Sequence, residues 1–150
     1  MVIPSIKKGT TTITVKLPFG ARKDVENCFI LGSFGVEIQG RARKIVALPE
    51  KIGFDDIVRQ GFPHYGGAVT YHLETETTDA GELVICTPHY RAAVLKLALD
   101  GDDKETIVYP PYEASLGEVE AGKHKVDVTA YISRNNSFGT VHHADRVMPY

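Results

Sequence analysis

His124-Lys125-Val126-Asp127-Val128-Thr129-Ala130-Tyr131-Ile132 alternates, with Val126, Val128, Ala130 and Ile132 on one side and Asp127, Thr129 and Tyr131 on the other. Successive side chains of a β-strand point to opposite faces, so this period of two predicts a strand buried on one face. The pattern recurs upstream. Thr10 to Leu17 sets Ile13, Val15 and Leu17 against Thr12, Thr14 and Lys16, and Val69, Tyr71 and Leu73 alternate with Thr70, His72 and Glu74. Cys28 to Phe34, Val36 to Gln39, Lys44 to Leu48, Leu83 to Thr87, Val94 to Leu99 and Thr106 to Tyr109 read as further short strands. Asp79-Ala80-Gly81, Asp100-Gly101-Asp102, Leu116-Gly117 and Ala121-Gly122 carry turn chemistry between these runs, which predicts β-hairpins. Many short strands at such spacing make the expected fold all-β, an antiparallel β-sandwich.

Two segments compete for helix. Ala92 to Asp100 is rich in helix formers, but Leu95, Leu97 and Leu99 alternate and a turn triplet follows, so strand is expected. Phe54 to Arg59 is long enough for a single helical turn and no more.

A chain of 150 residues buries a core without covalent staples, and its net charge of −2 gives no general attraction to phosphate backbones. Basic residues are scattered apart from Lys7-Lys8 and Arg41 to Lys44, so no nucleic-acid partner is expected. Met1 is followed by Val2-Ile3-Pro4-Ser5-Ile6, which has neither the basic start nor the long apolar run of a signal peptide, and no stretch reads as a membrane span. No membrane partner is expected, and the compartment is not readable. Cys28 and Cys86 are expected to be reduced, half-buried thiols. Residues 1–24 read as a lead-in segment with one strand, and residues 25–150 as the sandwich module. The final Arg146-Val147-Met148-Pro149-Tyr150 has no polar tail, as expected of a fragment of a larger chain.

Three segments carry recognition chemistry. Tyr131-Ile132-Ser133-Arg134-Asn135-Asn136-Ser137-Phe138-Gly139-Thr140-Val141-His142-His143 gathers amides, a guanidinium, an aromatic ring and two imidazoles around one glycine. Planar hydrogen-bonding groups of this kind suit sugar hydroxyls. Gly61-Phe62-Pro63-His64-Tyr65-Gly66-Gly67 is a glycine-hinged loop before the Val69 strand, able either to present an aromatic or to seal the core edge with Phe62 and Tyr65. Val108-Tyr109-Pro110-Pro111-Tyr112-Glu113 is expected to run extended, because proline fixes φ and disfavours helix before it.

Catalysis finds little support. Adjacent strand residues point to opposite faces, so His142 and His143 cannot both ligate one ion on a regular strand. The His-x-His, Glu and later His of a cupin-type metal site are missing. Asp100, Asp102 and Asp103 lack the spacing of an EF-hand, leaving a structural calcium elsewhere as an open question. There is no Gly-x-Ser-x-Gly elbow, and the glutamates show no visible pairing of the kind that glycoside hydrolysis needs.

The order Gly61-Phe62-Pro63-His64-Tyr65-Gly66-Gly67-Ala68-Val69-Thr70-Tyr71-His72, then Tyr109-Pro110-Pro111-Tyr112-Glu113-Ala114, then Ser133-Arg134-Asn135-Asn136-Ser137-Phe138-Gly139 with His142 resembles one known arrangement. It is similar to the β-sandwich accessory domain of large bacterial α-L-rhamnosidase-like and family 2-like glycoside hydrolases. Val25 to Val36 is similar to the segment leading into that module, so the resemblance runs from Val25 to His143. It implies a galactose-binding-like jelly roll without catalytic activity of its own, attached to a separate glycosidase domain. Tyr65, Tyr112, Arg134, Asn135, Asn136 and His142 are then the candidate ligand-binding residues, with carbohydrate or the adjacent catalytic domain as partner and no cofactor. Ala68 departs from the pattern, standing where a polar residue is expected after the paired glycines. Two alternatives stay open: a purely structural interdomain sandwich without sugar affinity, and a stand-alone metal-dependent jelly-roll enzyme.

Overall fold

The computed structural model describes residues 8–18, 20, 29–40 and 42–133. The chain clusters into two compact units, Met1–Gly32 and Ser33–Tyr150. Every described strand lies in the second: β1 (Gly35–Gln39), β2 (Ala42–Val46), β3 (Ala68–Thr77), β4 (Gly81–Cys86), β5 (Val94–Leu99), β6 (Asp102–Ile107), β7 (Glu113–Val119) and β8 (Gly122–Tyr131). All described pairings are antiparallel, and no helix occurs among the described residues.

After the β1–β2 hairpin, the remaining strands pair in nested order. The outermost pair is β3 with β8, from Ala68↔Tyr131 to Thr77↔Gly122; inside it lies β4 with β7, and innermost is β5 with β6. Alternate pairs enter different sheets, because β5 also pairs with β8, giving a four-stranded sheet β3-β8-β5-β6 beside a two-stranded sheet β4-β7. One buried cluster draws on both sheets: Leu95, Leu97 and Leu99 from β5, Ile107 from β6, Ala114, Leu116 and Val119 from β7, and Val126, Val128 and Ala130 from β8. Tyr71 and Leu73 of β3 and Leu83 and Ile85 of β4 pack against it. The alternation of β5 and β8 thus places one apolar face of the larger sheet on the core, as the period of two requires.

Only the Asp100-Gly101 turn makes the expected hairpin. It joins β5 to β6 with both residues at positive φ, 52° and 94°, the backbone that a two-residue hairpin loop demands. Residues 78–80 and 120–121 instead carry the chain from one sheet to the other. Leu116-Gly117, expected as a turn, lies inside β7: Glu82 faces Glu118 while Val84 faces Ser115, so two residues of β7 oppose Leu83 alone. Gly117 takes φ 93° there, the left-handed backbone that glycine adopts without a steric penalty at a bulge.

Other expectations need correcting. Thr10 to Leu17 and the described part of Cys28 to Phe34 form no strand, since alternation alone does not supply a ladder partner. Residues 57–60 form turns rather than a helical segment, with Arg59 and Gln60 amides donating to the Asp56 and Ile57 carbonyls. Cys86 is a free thiol but exposed, because the β4 alternation turns Glu82, Val84 and Cys86 away from the core. Cys28 lies outside the described residues.

Leu97 is 0% exposed at the centre of the core. Leu97→Ala is expected to cost about 2–5 kcal/mol, because the neighbouring strands cannot close the space, and urea unfolding of the two proteins will measure it.

Candidate functional site

Antiparallel nesting sends the two ends of the strands to different fates. At one end lie the tight turns at 78–80, 100–101 and 120–121; at the other lie the longer connections 61–67, 87–93 and 108–112 and the exit from β8. Two of the three segments singled out in the sequence, and the beginning of the third, therefore gather at one end of the strands.

Backbone hydrogen bonds join them. The Ile132 amide donates to the Gly67 carbonyl at 2.9 Å, the Ala93 amide to the Tyr131 carbonyl at 2.8 Å, and the Thr87 amide to the Tyr112 carbonyl at 2.9 Å. The 87–93 connection is thus a bridge between the β8 exit and Tyr112. Tyr90 anchors it: its hydroxyl donates to the Ile107 carbonyl at 3.0 Å, and its ring meets Tyr112 edge-on at 5.2 Å. Burial, reinforced by the Tyr112 phenol, raises the Tyr90 pKa above its ordinary value. Nothing in the sequence reading singled out Tyr90, although an aromatic in Pro88-His89-Tyr90-Arg91 between two strands was an available signal.

Tyr65 and Tyr112 both serve local packing. The Tyr65 hydroxyl donates to the Ala68 carbonyl at 2.8 Å and its ring meets Phe62 edge-on at 5.8 Å, while Pro63 between them is fully buried. Tyr112, at φ 59°, packs against the core. The prolines before it do not run extended. The Pro110-Pro111 peptide is cis and the Tyr112 amide donates to the Tyr109 carbonyl at 3.3 Å, because proline fixes φ but leaves ω two choices. Val108 and Tyr109 face outward at 53% and 76% exposure, and Tyr131 is exposed at the end of β8. An open groove of about 370 Å³ runs along residues 105–111 and 113–115.

Arg134, Asn135, Asn136 and His142 lie outside the described residues. Among the described residues, no three His, Cys, Asp or Glu side chains cluster as metal ligands would. Against family models, curated proteins and solved structures, the chain finds no match.

Two other surfaces complete the chemistry. The outward face of the larger sheet pairs its own polar groups: Thr70 with Thr129 at 2.9 Å, His72 Nδ1 with Asp127 at 2.7 Å, and Lys96 with Asp103 at 2.6 Å. The bond that Lys96 donates to Asp103 raises the Lys96 pKa. A second groove, of about 660 Å³, lies between β1–β2 and the 58–61 turn, where Val36, Ile38 and Val58 form apolar walls and Lys51 and Arg59 add positive charge.

A Cβ at Gly67 would stand 2.5 Å from the Tyr65 hydroxyl oxygen. Gly67→Ala is therefore expected to displace the Tyr65 ring and lower the melting temperature, whereas Tyr65→Phe, which removes one exposed hydrogen bond, should cost no more than about 1 kcal/mol. Thermal melts of both variants will compare them.

Proposed function

We propose that this chain is a non-catalytic accessory module of a multidomain bacterial glycoside hydrolase of the α-L-rhamnosidase-like or family 2-like kind. In this reading the nested pairing is a shortened galactose-binding-like jelly roll, in which the β5–β6 hairpin is the innermost pair and the long β3–β8 ladder the outermost. The module works by contact. Its loop end leans on the neighbouring glycosidase domain or touches carbohydrate, and it needs no cofactor for either.

The observation that carries the reading is the division of labour among the tyrosines at the loop end. Tyr65 and Tyr112 are spent on the module's own carbonyls and rings, while Tyr109 and Val108 turn outward. Adjacent exposed apolar side chains at one end of the strands are compatible with a surface covered by another domain. Domain contact is accordingly the primary reading. Sugar contact is the second, favoured by the chemistry of Arg134, Asn135 and Asn136, whose planar donors and acceptors suit hydroxyl pairs.

A glycan array probed with the 150-residue chain separates the two. Domain contact predicts no glycan signal, together with binding of an apolar dye that falls in a Val108→Ser, Tyr109→Ser double variant. A glycan signal abolished by Asn135→Ala would move the assignment to carbohydrate binding, and turnover of a glycoside by the purified chain would overturn the non-catalytic reading altogether.

A further inference from the structure

At the turn end of the larger sheet, His124 is held by acceptors on both ring nitrogens. Nδ1 lies 2.9 Å from Asp100 Oδ2, and Nε2 lies 2.9 Å from the Glu120 carbonyl oxygen. A carbonyl only accepts, and so does an ionised carboxylate, so both nitrogens must donate. Only the imidazolium does that. Whichever proton a neutral ring keeps, its other nitrogen turns a lone pair toward an oxygen at 2.9 Å.

We propose that His124 is a proton-operated clasp, which ties the Asp100-Gly101 turn and the β7–β8 crossing to β8 and loosens that end of the fold when it loses its proton.

What the clasp holds is specific. Asp100 Oδ1 accepts the Lys125 amide at 2.8 Å and the Asp100 amide donates to the Lys125 carbonyl at 2.8 Å, so Asp100 is fixed to β8 at three points. The Glu120 carbonyl also accepts the Thr77 hydroxyl at 2.9 Å, which brings in the end of β3. His124 is 13% exposed, so water replaces the lost donor only in part. Asp100 is the charge facing the ring from the turn, and Lys104 of β6 acts on Asp100 in turn. On β8, Lys123 and Lys125 flank the ring and are exposed; opposite it on β3 stands neutral Thr75, with Glu74 and Glu76 on either side facing outward. His72 is an internal contrast. Its Nδ1 bond to Asp127 is satisfied by a neutral ring carrying its proton there, and its side chain is 76% exposed.

The bonds to Asp100 and to the Glu120 carbonyl raise the His124 pKa, and the bonds from His124 and the Lys125 amide lower that of Asp100. A raised histidine stabilises the fold fully below its unfolded value of about 6.5, and that contribution is lost as pH rises through the raised value. A lowered aspartate contributes above about 3.9, and its share is lost as pH falls through the lowered value. The clasp is therefore complete between these limits and opens on the alkaline side through His124.

Imidazole ¹⁵N spectra and thermal melts of the 150-residue chain from about pH 5 to about pH 8.5, on either side of the ordinary imidazole value, test this. The expected result is a doubly protonated His124 ring at the acid limit, with a fall in melting temperature and a loss of protection at the Asp100 and Lys125 amides, relative to the intrinsic exchange rate at each pH, as it titrates. His124→Gln should remove that fall, while His72→Gln should keep it. A neutral His124 ring at the acid limit, or an unchanged pH slope in His124→Gln, overturns the proposal. Should His124→Gln fail to fold, the wild-type titration decides alone: Asp100 and Lys125 amide protection, relative to the intrinsic exchange rate, that does not follow the His124 signal rejects the clasp.

Discussion

Strand β8 hydrogen-bonds along both of its edges, to β3 on one side and β5 on the other, while its inward side chains fill the core. No other described strand carries so much. Its ladder with β3 spans ten residue pairs and closes the chain's outermost loop, so the longest separation in sequence coincides with the longest continuous pairing. Such non-local ladders form late, after the entropy of loop closure has been met, and they depend on an unambiguous register. The apolar row Val126, Val128 and Ala130 supplies that register, because a one-residue slip would turn all three to solvent.

The two ends of this ladder are built differently. At one end short turns are fixed by side chains: Thr77, Asp100 and His124 hold carbonyls and amides of the neighbouring segment. At the other end the connections are longer and are fixed mainly by backbone bonds and stacked tyrosines, leaving Val108 and Tyr109 uncovered.

How much of this could be read beforehand depended on where the cause was local. β3, β5 and β8 were legible because their alternation is a property of a single segment, and the Asp100-Gly101 hairpin because its backbone needs residues that tolerate positive φ. Thr10 to Leu17 alternates equally well and forms no strand, since pairing is decided by a partner elsewhere. β7 was hidden by its own glycine. The bridging part of Tyr90 was invisible because it is fixed by a contact with the end of another strand, at the Ile107 carbonyl. Of the candidate site, the gathering of the loops followed from topology, whereas the engagement of Tyr65 and Tyr112 in their own packing required coordinates.

The Gly117 bulge acts on β7 as a phase shift does on a wave. Before it the inward residues are Ala114 and Leu116; after it the inward residue is Val119, three positions on, and Glu118 stays in water. The strand therefore changes parity in mid-course, and the chain enters the crossing to β8 on the opposite beat from the one on which it began. Inside and outside in β7 are set by a count, and that count includes one residue that contributes no side chain at all.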